Sequence, residues 1–238
     1  MLEIKHLTKI YKGGKRAVDD VSLTVNDGEI FGFIGHNGAG KSTTIKAIAG
    51  IIDFNDGEIL IDGKSIRKNP IEVKRITAYI PDNPDIYNHL TGIQYLDFIA
   101  SVYGVKADKK TELIKKYADL FEMTPSLGNL TSSYSHGMRQ KLCIISALIH
   151  EPKLLVMDEP FVGLDPVATF KLKEIMKEMC KNGCSIFFST HVLEVAEKLC
   201  DRVAIIKDGK LVVTGDMKEV TKNESLEDVF MELVENDG

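Results

Sequence analysis

The sequence predicts an α/β fold: a core of buried strands and helices, an antiparallel β-lobe near the N terminus and an inserted α-helical lobe. Three observations lead to this prediction. Apolar residues at 30–34 are followed by a glycine-rich loop and then by apolar residues at helical spacing, which is a strand–loop–helix unit. Short alternating segments surround that unit, whereas strand patterns largely stop between Ala78 and His150. A second apolar run, at 154–157, ends in two acids.

The composition limits the class of protein. With 238 residues, 44% of them hydrophobic, we expect a single domain over 1–238, with the helical lobe inserted at about 83–150 and a charged, helical tail at about 216–238. A net charge of −5 argues against a nucleic-acid-binding surface. No run approaches the roughly 18 apolar residues that a membrane span needs, and no signal peptide is present, so a soluble intracellular protein is predicted. The four cysteines lack CxxC pairing, which favours free thiols over a metal site.

Alternating residues at 2–7 and 18–25 predict half-buried strands of the N-terminal lobe, and Asp56-Gly57 and Asp62-Gly63 are interpreted as turns that bracket a further strand. Tyr11 lies between the first two strands. Its flat ring is suited to stacking on a purine, although an ordinary strand tyrosine accounts for it equally well.

The loop after the first buried strand reads Gly35-His36-Asn37-Gly38-Ala39-Gly40-Lys41-Ser42-Thr43 and matches G-x-x-x-x-G-K-[ST]. Its glycines allow successive backbone N–H groups to point at phosphates, and the following helix adds the positive end of its dipole. Lys41 is predicted to reach the β- and γ-phosphates and the Ser42 hydroxyl to bind Mg²⁺. The alternative, a turn that binds nothing, does not explain the complete motif in its strand–loop–helix context.

The acids Asp158 and Glu159 follow the second apolar run, as expected for a parallel strand that delivers carboxylates to the ligand-binding edge of a sheet. Asp158 is predicted to hold Mg²⁺ through its water shell and Glu159 to polarise an attacking water. His191 follows the next buried strand, at 185–189. A lone histidine is more often structural, but its place at this edge makes His191 a catalytic candidate.

Three further candidates lie at helix starts, and a fourth lies in a loop between two prolines. Ser135 and Gly137 open a long helix running to His150; Ser135 is placed as an N-cap, which alone would explain it, and the same geometry would serve an anion. Asp165 precedes Pro166 as the N-cap of another helix. Asp82 lies between two prolines, where its carboxylate would reach a metal-bound water.

In their order and spacing these elements resemble the nucleotide-binding subunit of ATP-binding cassette (ABC) transporters, over nearly the whole chain. The resemblance implies a P-loop NTPase (RecA-like) core that binds ATP and Mg²⁺. In family terms it makes 35–42 the Walker A loop, 154–158 the Walker B strand, Glu159 the catalytic glutamate and 163–165 the D-loop, with His191 as the switch histidine and Tyr11 as the base-stacking aromatic.

Two positions depart from the family pattern. The signature, usually Leu-Ser-Gly-Gly-Gln, retains only Ser135 and Gly137, with His136 and Met138 beside them. The resemblance implies that this serine and its helix start contact the γ-phosphate of ATP held by the opposite subunit, so the retained residues are those that the contact needs most. At the Q-loop, Asp82 stands where a glutamine is usual, and we expect it to serve as a shorter, charged acceptor.

The resemblance implies ATP hydrolysis by a head-to-tail dimer with a second cassette, of the same or a different kind, which drives a separate membrane permease. The chain would then be cytoplasmic and peripheral on the inner face of the cell membrane, with no nucleic-acid partner. The variant signature, the acidic Q-loop and the tail at 226–230 resemble exporter-type cassettes paired with ABC-2-like permeases. The permease is expected to dock beside 82–87 and 92–100, on an exposed apolar patch that includes Ile86 and Tyr87.

The main alternative is a soluble mechanical ATPase built on the same cassette and acting on ribosomes, DNA or an assembly complex. One cassette and no sustained heptads argue against the known designs of that kind. A plain P-loop kinase would not explain the helix start at Ser135 or the position of His191.

Overall fold

The computed structural model describes residues 1–222 and 224–235, so residue 223 and the last three residues of the predicted tail lie outside the described residues. The strands of the described chain are, in order, β1 (Leu2–Ile10), β2 (Arg16–Val25), β3 (Ile30–Ile34), β4 (Asp56–Ile61), β5 (Lys64–Ser65), β6 (Thr77–Ile80), β7 (Leu154–Asp158), β8 (Ser185–Thr190), β9 (Arg202–Lys207) and β10 (Lys210–Asp216). The α-helices are α1 (Lys41–Ile48), α2 (Pro70–Ile76), α3 (Gly92–Val102), α4 (Ala107–Leu120), α5 (His136–Leu148), α6 (Pro166–Lys181), α7 (Leu193–Leu199), α8 (Met217–Thr221) and α9 (Leu226–Glu235).

The predicted α/β class is confirmed, because the described strands form two sheets. The N-terminal sheet has the order β2-β1-β4-β5, and its strands pair antiparallel. The larger sheet has the order β10-β9-β3-β8-β7-β6; β9, β3, β8, β7 and β6 run parallel, and β10 pairs antiparallel with β9. The carboxyl ends of β3, β7 and β8 therefore meet at one edge, where each leads into a candidate site residue.

The larger sheet is covered on both faces, which explains the continuous apolar runs of β3, β7 and β8. Phe31, Phe33 and Phe187 pack on one face with α1 and the N-terminal sheet. Ile34 and Phe188 pack on the other face with α6 and with the helical lobe, to which α5 belongs. Alternate side chains of a single strand thus enter two different cores, and this fixes the register of the strands that carry the site.

One turn was predicted wrongly. Asp56-Gly57 does not precede β4 but lies within it, opposite an irregularity between Lys5 and Thr8 of β1. Gly57 has φ +96°, and a Cβ there would lie 2.4 Å from the carbonyl oxygen of His6. Only glycine permits this close approach of two backbones, so the dipeptide marks a bulge of the ladder and not a turn.

The helical lobe consists of α3, α4 and α5, inserted between β6 and β7. A capping box starts α3, in which the Thr91 side chain accepts from the backbone of Gln94 and the Gln94 side chain accepts from the backbone of Thr91. Tyr95, Tyr117 and Phe121 are buried in the lobe. At the other end of the chain, α8 and α9 follow β10. No helix among the described residues combines the length and apolar character that crossing a bilayer requires.

Candidate nucleotide site

The glycine-rich loop joins β3 to α1 at the edge of the larger sheet. Gly40 has φ +114°, and a Cβ there would lie 2.4 Å from the carbonyl oxygen of Ala17, so a larger residue would displace β2. The loop is closed by a hydrogen bond from the Ala39 amide to the His36 carbonyl. Its sequence therefore fixes a tight backbone curve at the start of a helix, which is an anion-binding arrangement.

Lys41 is buried and points back across this loop. Its Nζ donates to the carbonyl of Gly35 at 2.7 Å and to that of His36 at 3.2 Å, and it lies 3.6 Å from Oε1 of Glu159. The ammonium group is thus held at a defined position between the loop and a carboxylate, where it is available to pair with a phosphate oxygen.

A cleft of about 290 Å³ lies over the loop and gathers most of the predicted site. Tyr11 is 42% exposed at its rim, and its hydroxyl lies 3.4 Å from Oγ1 of Thr43. Lys15, which sequence reasoning missed, also lines it; a lysine four residues after Tyr11 in the same turn was the available signal. The remaining lining residues are Ala17, Asn37, Gly38, Gly40, Lys41, Ser42, Asp82 and Glu159.

Asp158 is completely buried at the end of β7. Its Oδ1 accepts from the Ser189 hydroxyl at 2.6 Å, whereas no residue that the structure describes donates a hydrogen bond to Oδ2. Burial raises the pKa of this carboxyl, and the hydrogen bond from Ser189 and the nearby Ser42 hydroxyl oppose the rise. A buried carboxylate oxygen without a partner needs a cation or a donor.

These oxygen donors fit a magnesium ion. The Ser42 hydroxyl and Asp158 lie together, and Asp82 is near enough to raise the pKa of Asp158 by charge repulsion. Hard divalent cations prefer such oxygen ligands and retain several waters. Among the described residues no cluster of three or more His, Cys, Asp and Glu side chains is placed to hold a metal ion.

Glu159 follows Asp158 with φ +47°, in the left-handed region of backbone conformation. Its Oε1 lies 3.0 Å from Nδ1 of His191, and its Oε2 accepts from the His191 amide at 3.4 Å. The Glu159 amide donates to the Ser189 hydroxyl, which also contacts Asp158. Ser189 thus joins both acids, a role that sequence reasoning missed; its position at the end of the strand beside them was the signal.

Among the predicted residues outside this cleft, three lie at the starts of α5 and α6. Ser135 caps α5, with its Oγ accepting from the Met138 amide at 3.3 Å, and Gly137 lies in the first turn of that helix. Asp165 caps α6 through the Ala168 amide at 2.8 Å. Its carboxylate also pairs with Lys141 at 2.7 Å, and that ammonium lowers the pKa of Asp165. The structure therefore divides the predicted nucleotide-binding residues between two regions of one chain.

A groove of about 620 Å³ separates the core from the helical lobe beside the Asp82 loop. It is lined by Lys46, Ile51, Ala78, Tyr79, Pro81, Asp82, Asn83, Asp85, Tyr95, Ile99, Tyr103, Cys143, Ser146, Ala147 and His150. The apolar patch predicted beside it is present at Tyr87, which is 52% exposed with its ring edge-on to Phe98. The prediction was wrong for Ile86, which is buried in the core of the lobe.

A phosphate-binding loop, a buried aspartate and a glutamate–histidine pair at neighbouring strand ends define a P-loop nucleotide hydrolase. The model of the ABC transporter family matches residues 18–162, which is more than half of the chain. The chain therefore belongs to the ABC transporter family and is an ATP-binding, ATP-hydrolysing subunit of that family.

Comparison with individual relatives and solved structures supports the assignment to this family. The chain is 36% identical over 243 residues to the ABC-type transporter ATP-binding protein EcsA of Bacillus subtilis, covering 100% of this chain and 98% of EcsA. A solved ATP-binding subunit of an ABC transporter is 35% identical with a TM-score of 0.94, covering 98% of this chain and 99% of that one. The dimeric cassette MJ0796, bound to ADP and Pi in a post-hydrolysis state, shares the fold at 23% identity and a TM-score of 0.82, covering 91% and 99% of the two chains.

Proposed function

We propose that this subunit powers a separate integral-membrane permease through ATP-driven closure of a head-to-tail dimer of cassettes. The observation that carries the proposal is the division of the site. The cleft over Lys41 contains phosphate-, metal- and water-directed groups, whereas Ser135 and Gly137 lie outside it on the same chain. A second cassette placed against the cleft would supply its own Ser135 helix start, and the dimeric state of the MJ0796 cassette is consistent with this arrangement.

In this proposal each residue has a defined task. The 35–43 backbone and Lys41 hold the phosphates, and Tyr11 stacks on the base. Glu159 accepts a proton from the attacking water, and His191 holds the glutamate in place through the 3.0 Å contact. Mg²⁺ would be held by Ser42 and Asp158, with Asp82 reaching a bound water, and when bound it offsets charge on the phosphate oxygens.

The groove beside Asp82 is the proposed docking place of the permease. It lies between core and helical lobe, and the exposed Tyr87 and Phe98 rings stand near it. A short partner helix set into such a groove would bury these rings.

The subunit would then be cytoplasmic and peripheral on the inner face of the cell membrane. Export is the proposed direction, supported by His136, Met138, Asp82 and the tail at 226–230.

Recovery of the tagged protein from solubilised membranes tests the proposal. The wild-type protein should be recovered with an integral-membrane protein, and Tyr87→Glu should abolish this while ATP binding in solution is retained. Val212→Glu is the matched control: Val212 is also exposed, but it lies on β10, at the opposite edge of the sheet from β6. If neither wild type nor control brings down a membrane protein, the soluble mechanical ATPase replaces this proposal.

A further inference from the structure

The start of α5 is packed directly against the Gly163–Asp165 turn of its own chain. The His136 ring lies over Gly163, so that a Cβ on Gly163 would lie 2.5 Å from Cδ2 and 2.8 Å from Nε2 of the ring. A Cβ on Gly137 would lie 2.8 Å from the Gly163 carbonyl oxygen. There is no room for a methyl group on either side, so the helix start and the turn form a close-packed contact.

Two polar contacts to the same segment lie one turn further along α5. Lys141, whose side chain is only 17% exposed, places its Nζ 2.7 Å from Oδ2 of Asp165. Gln140 is completely buried, and its side-chain amide donates to the Pro160 carbonyl at 3.5 Å. His136 and Gln140 are four residues apart and share a helix face. Lys141, one residue further on, reaches the same 160–165 segment through its long side chain.

This contact accounts for the departure of His136 from the usual glycine. A glycine at 136 would leave the space over Gly163 unfilled, whereas the imidazole fills it. The segment that it covers continues directly from Glu159. The α5 start and the glutamate are therefore linked through the segment 160–165, which is packed on the helix at 160, 163 and 165.

We propose that His136 and Lys141 are positioning residues that hold the α5 start against the Gly163–Asp165 turn, so that Ser135 and Glu159 of one chain change position together. The inference rests on the proposed function, in which Ser135 serves the nucleotide of the partner and Glu159 serves the chain's own. When the dimer closes around the partner's nucleotide, the movement of Ser135 is transmitted within its own chain to Glu159. Glu159 then acts on the nucleotide that this chain holds. Lys141 acts through Asp165, and His136 acts through Gly163.

The first test removes the charge of Lys141. Lys141→Met keeps the length of the side chain and should lower kcat by roughly two- to thirtyfold, the range expected for residues that couple two sites. The ATP affinity of the isolated subunit should not change, because the residue lies outside the Lys41 cleft, and Lys141→Arg should restore the rate. Lys171→Met is the matched control, since Lys171 lies on α6 and pairs with Glu122 of the lobe at 3.1 Å instead of with Asp165.

A double-mutant cycle makes the test specific to the pair. Asp165→Asn keeps the oxygen that caps α6 and removes the charge, so the combination with Lys141→Met should be no slower than the slower single variant. Thermal unfolding of the same four proteins measures the contact without nucleotide. Multiplicative rate effects, a Lys141→Met enzyme as active as the Lys171→Met control, or no coupling in stability would overturn the proposal.

The His136 contact has its own cycle. Gly163→Ala introduces the clash with the ring and should reduce ATP-dependent dimer formation in a Glu159→Gln background. Adding His136→Gly removes the ring and should restore part of the loss; the remainder reflects the strain of alanine at φ +79°. No recovery would contradict the contact. Failure of the Glu159→Gln protein to form a dimer with ATP would instead count against the proposed function.

Discussion

The imidazole of His191 and the carboxylate of Glu159 are in direct contact, with Nδ1 3.0 Å from Oε1. The same Oε1 lies 3.6 Å from Nζ of Lys41. Glu159 is thus placed between a residue of the phosphate-binding loop and a residue at the end of β8. The Glu159 carboxylate is therefore held by contacts on two sides and follows a left-handed backbone conformation. A general base needs such a fixed position relative to the water that it deprotonates.

Glu159→Gln should separate ATP binding from hydrolysis. The amide keeps the size of the side chain but accepts no proton, so hydrolysis should fall by roughly two or more decades while ATP still binds and holds a dimer closed. Phosphate release and size-exclusion chromatography with ATP measure the two effects. Hydrolysis at the wild-type rate would place the base elsewhere, for example on a relay centred on Asp82 or His191.

Lys41→Ala should abolish hydrolysis and weaken ATP binding, because it removes the buried ammonium group that pairs with the phosphate oxygens. Equilibrium binding of a fluorescent ATP analogue and a turnover assay measure the two effects. Lys74→Ala, which removes an exposed lysine on α2, is the control and should behave as wild type. Turnover retained without Lys41 would remove the loop from the catalytic site.

Ser42→Ala should raise the Mg²⁺ concentration needed for hydrolysis. The Ser42 hydroxyl lies beside Asp158, whose Oδ2 has no hydrogen-bond partner among the described residues, so loss of the hydroxyl removes one of few oxygen ligands. The shift should be at least the roughly tenfold that loss of an outer-shell partner costs at metal sites. Titration of the ATPase rate with Mg²⁺ measures it. An unchanged requirement would show that the ion is held elsewhere.

Local sequence was sufficient for the features that depend on one segment. The loop at 35–43, the N-caps Ser135 and Asp165 and the acid-bearing strand β7 were all predictable, because backbone geometry and burial there follow from neighbouring residues. The class of fold followed from the same segments, since buried runs alternating with helices require a parallel sheet covered on both faces.

Features that depend on contacts between distant segments were not predictable. Ser189 joins Asp158 to Glu159 only because β8 lies beside β7, an order that no single segment specifies. Ile86 lies in a loop without periodicity, and its burial is decided by the core of the lobe. The Lys141–Asp165 pair connects two helices. Each of these outcomes is set by tertiary packing and not by local propensity.

His150 supplies the last prediction, which concerns stability and pH. Its ring stacks on Tyr103, with centroids 3.7 Å apart, in the groove between core and lobe. The ring nitrogens lie near backbone groups of Thr77 and Ser146 but reach hydrogen-bond geometry with neither. Burial therefore lowers the pKa of His150 from 6.5 to about 4.

The direction of the pH effect follows from proton binding. Between pH 6.5 and about 4 the unfolded chain binds a proton at His150 that the folded protein does not. The contribution of neutral His150 to stability is therefore complete above this window and is lost as the pH falls through it. The loss is at most about 3 to 4 kcal/mol, from about 1.4 kcal/mol per pKa unit over the interval from 6.5 to about 4.

His150→Phe keeps a ring stacked on Tyr103 and removes the titration. Carboxylates also titrate in this window, so the informative quantity is the difference between variant and wild type in urea unfolding at a series of pH values. The variant should lose less stability on acidification, because only the wild-type unfolded chain gains the proton at position 150. His89→Phe is the control: His89 is exposed, so water solvates its ring in the folded protein too, and this variant should follow wild type. Parallel curves for wild type and His150→Phe would show that the imidazole takes up its proton without cost in the folded groove.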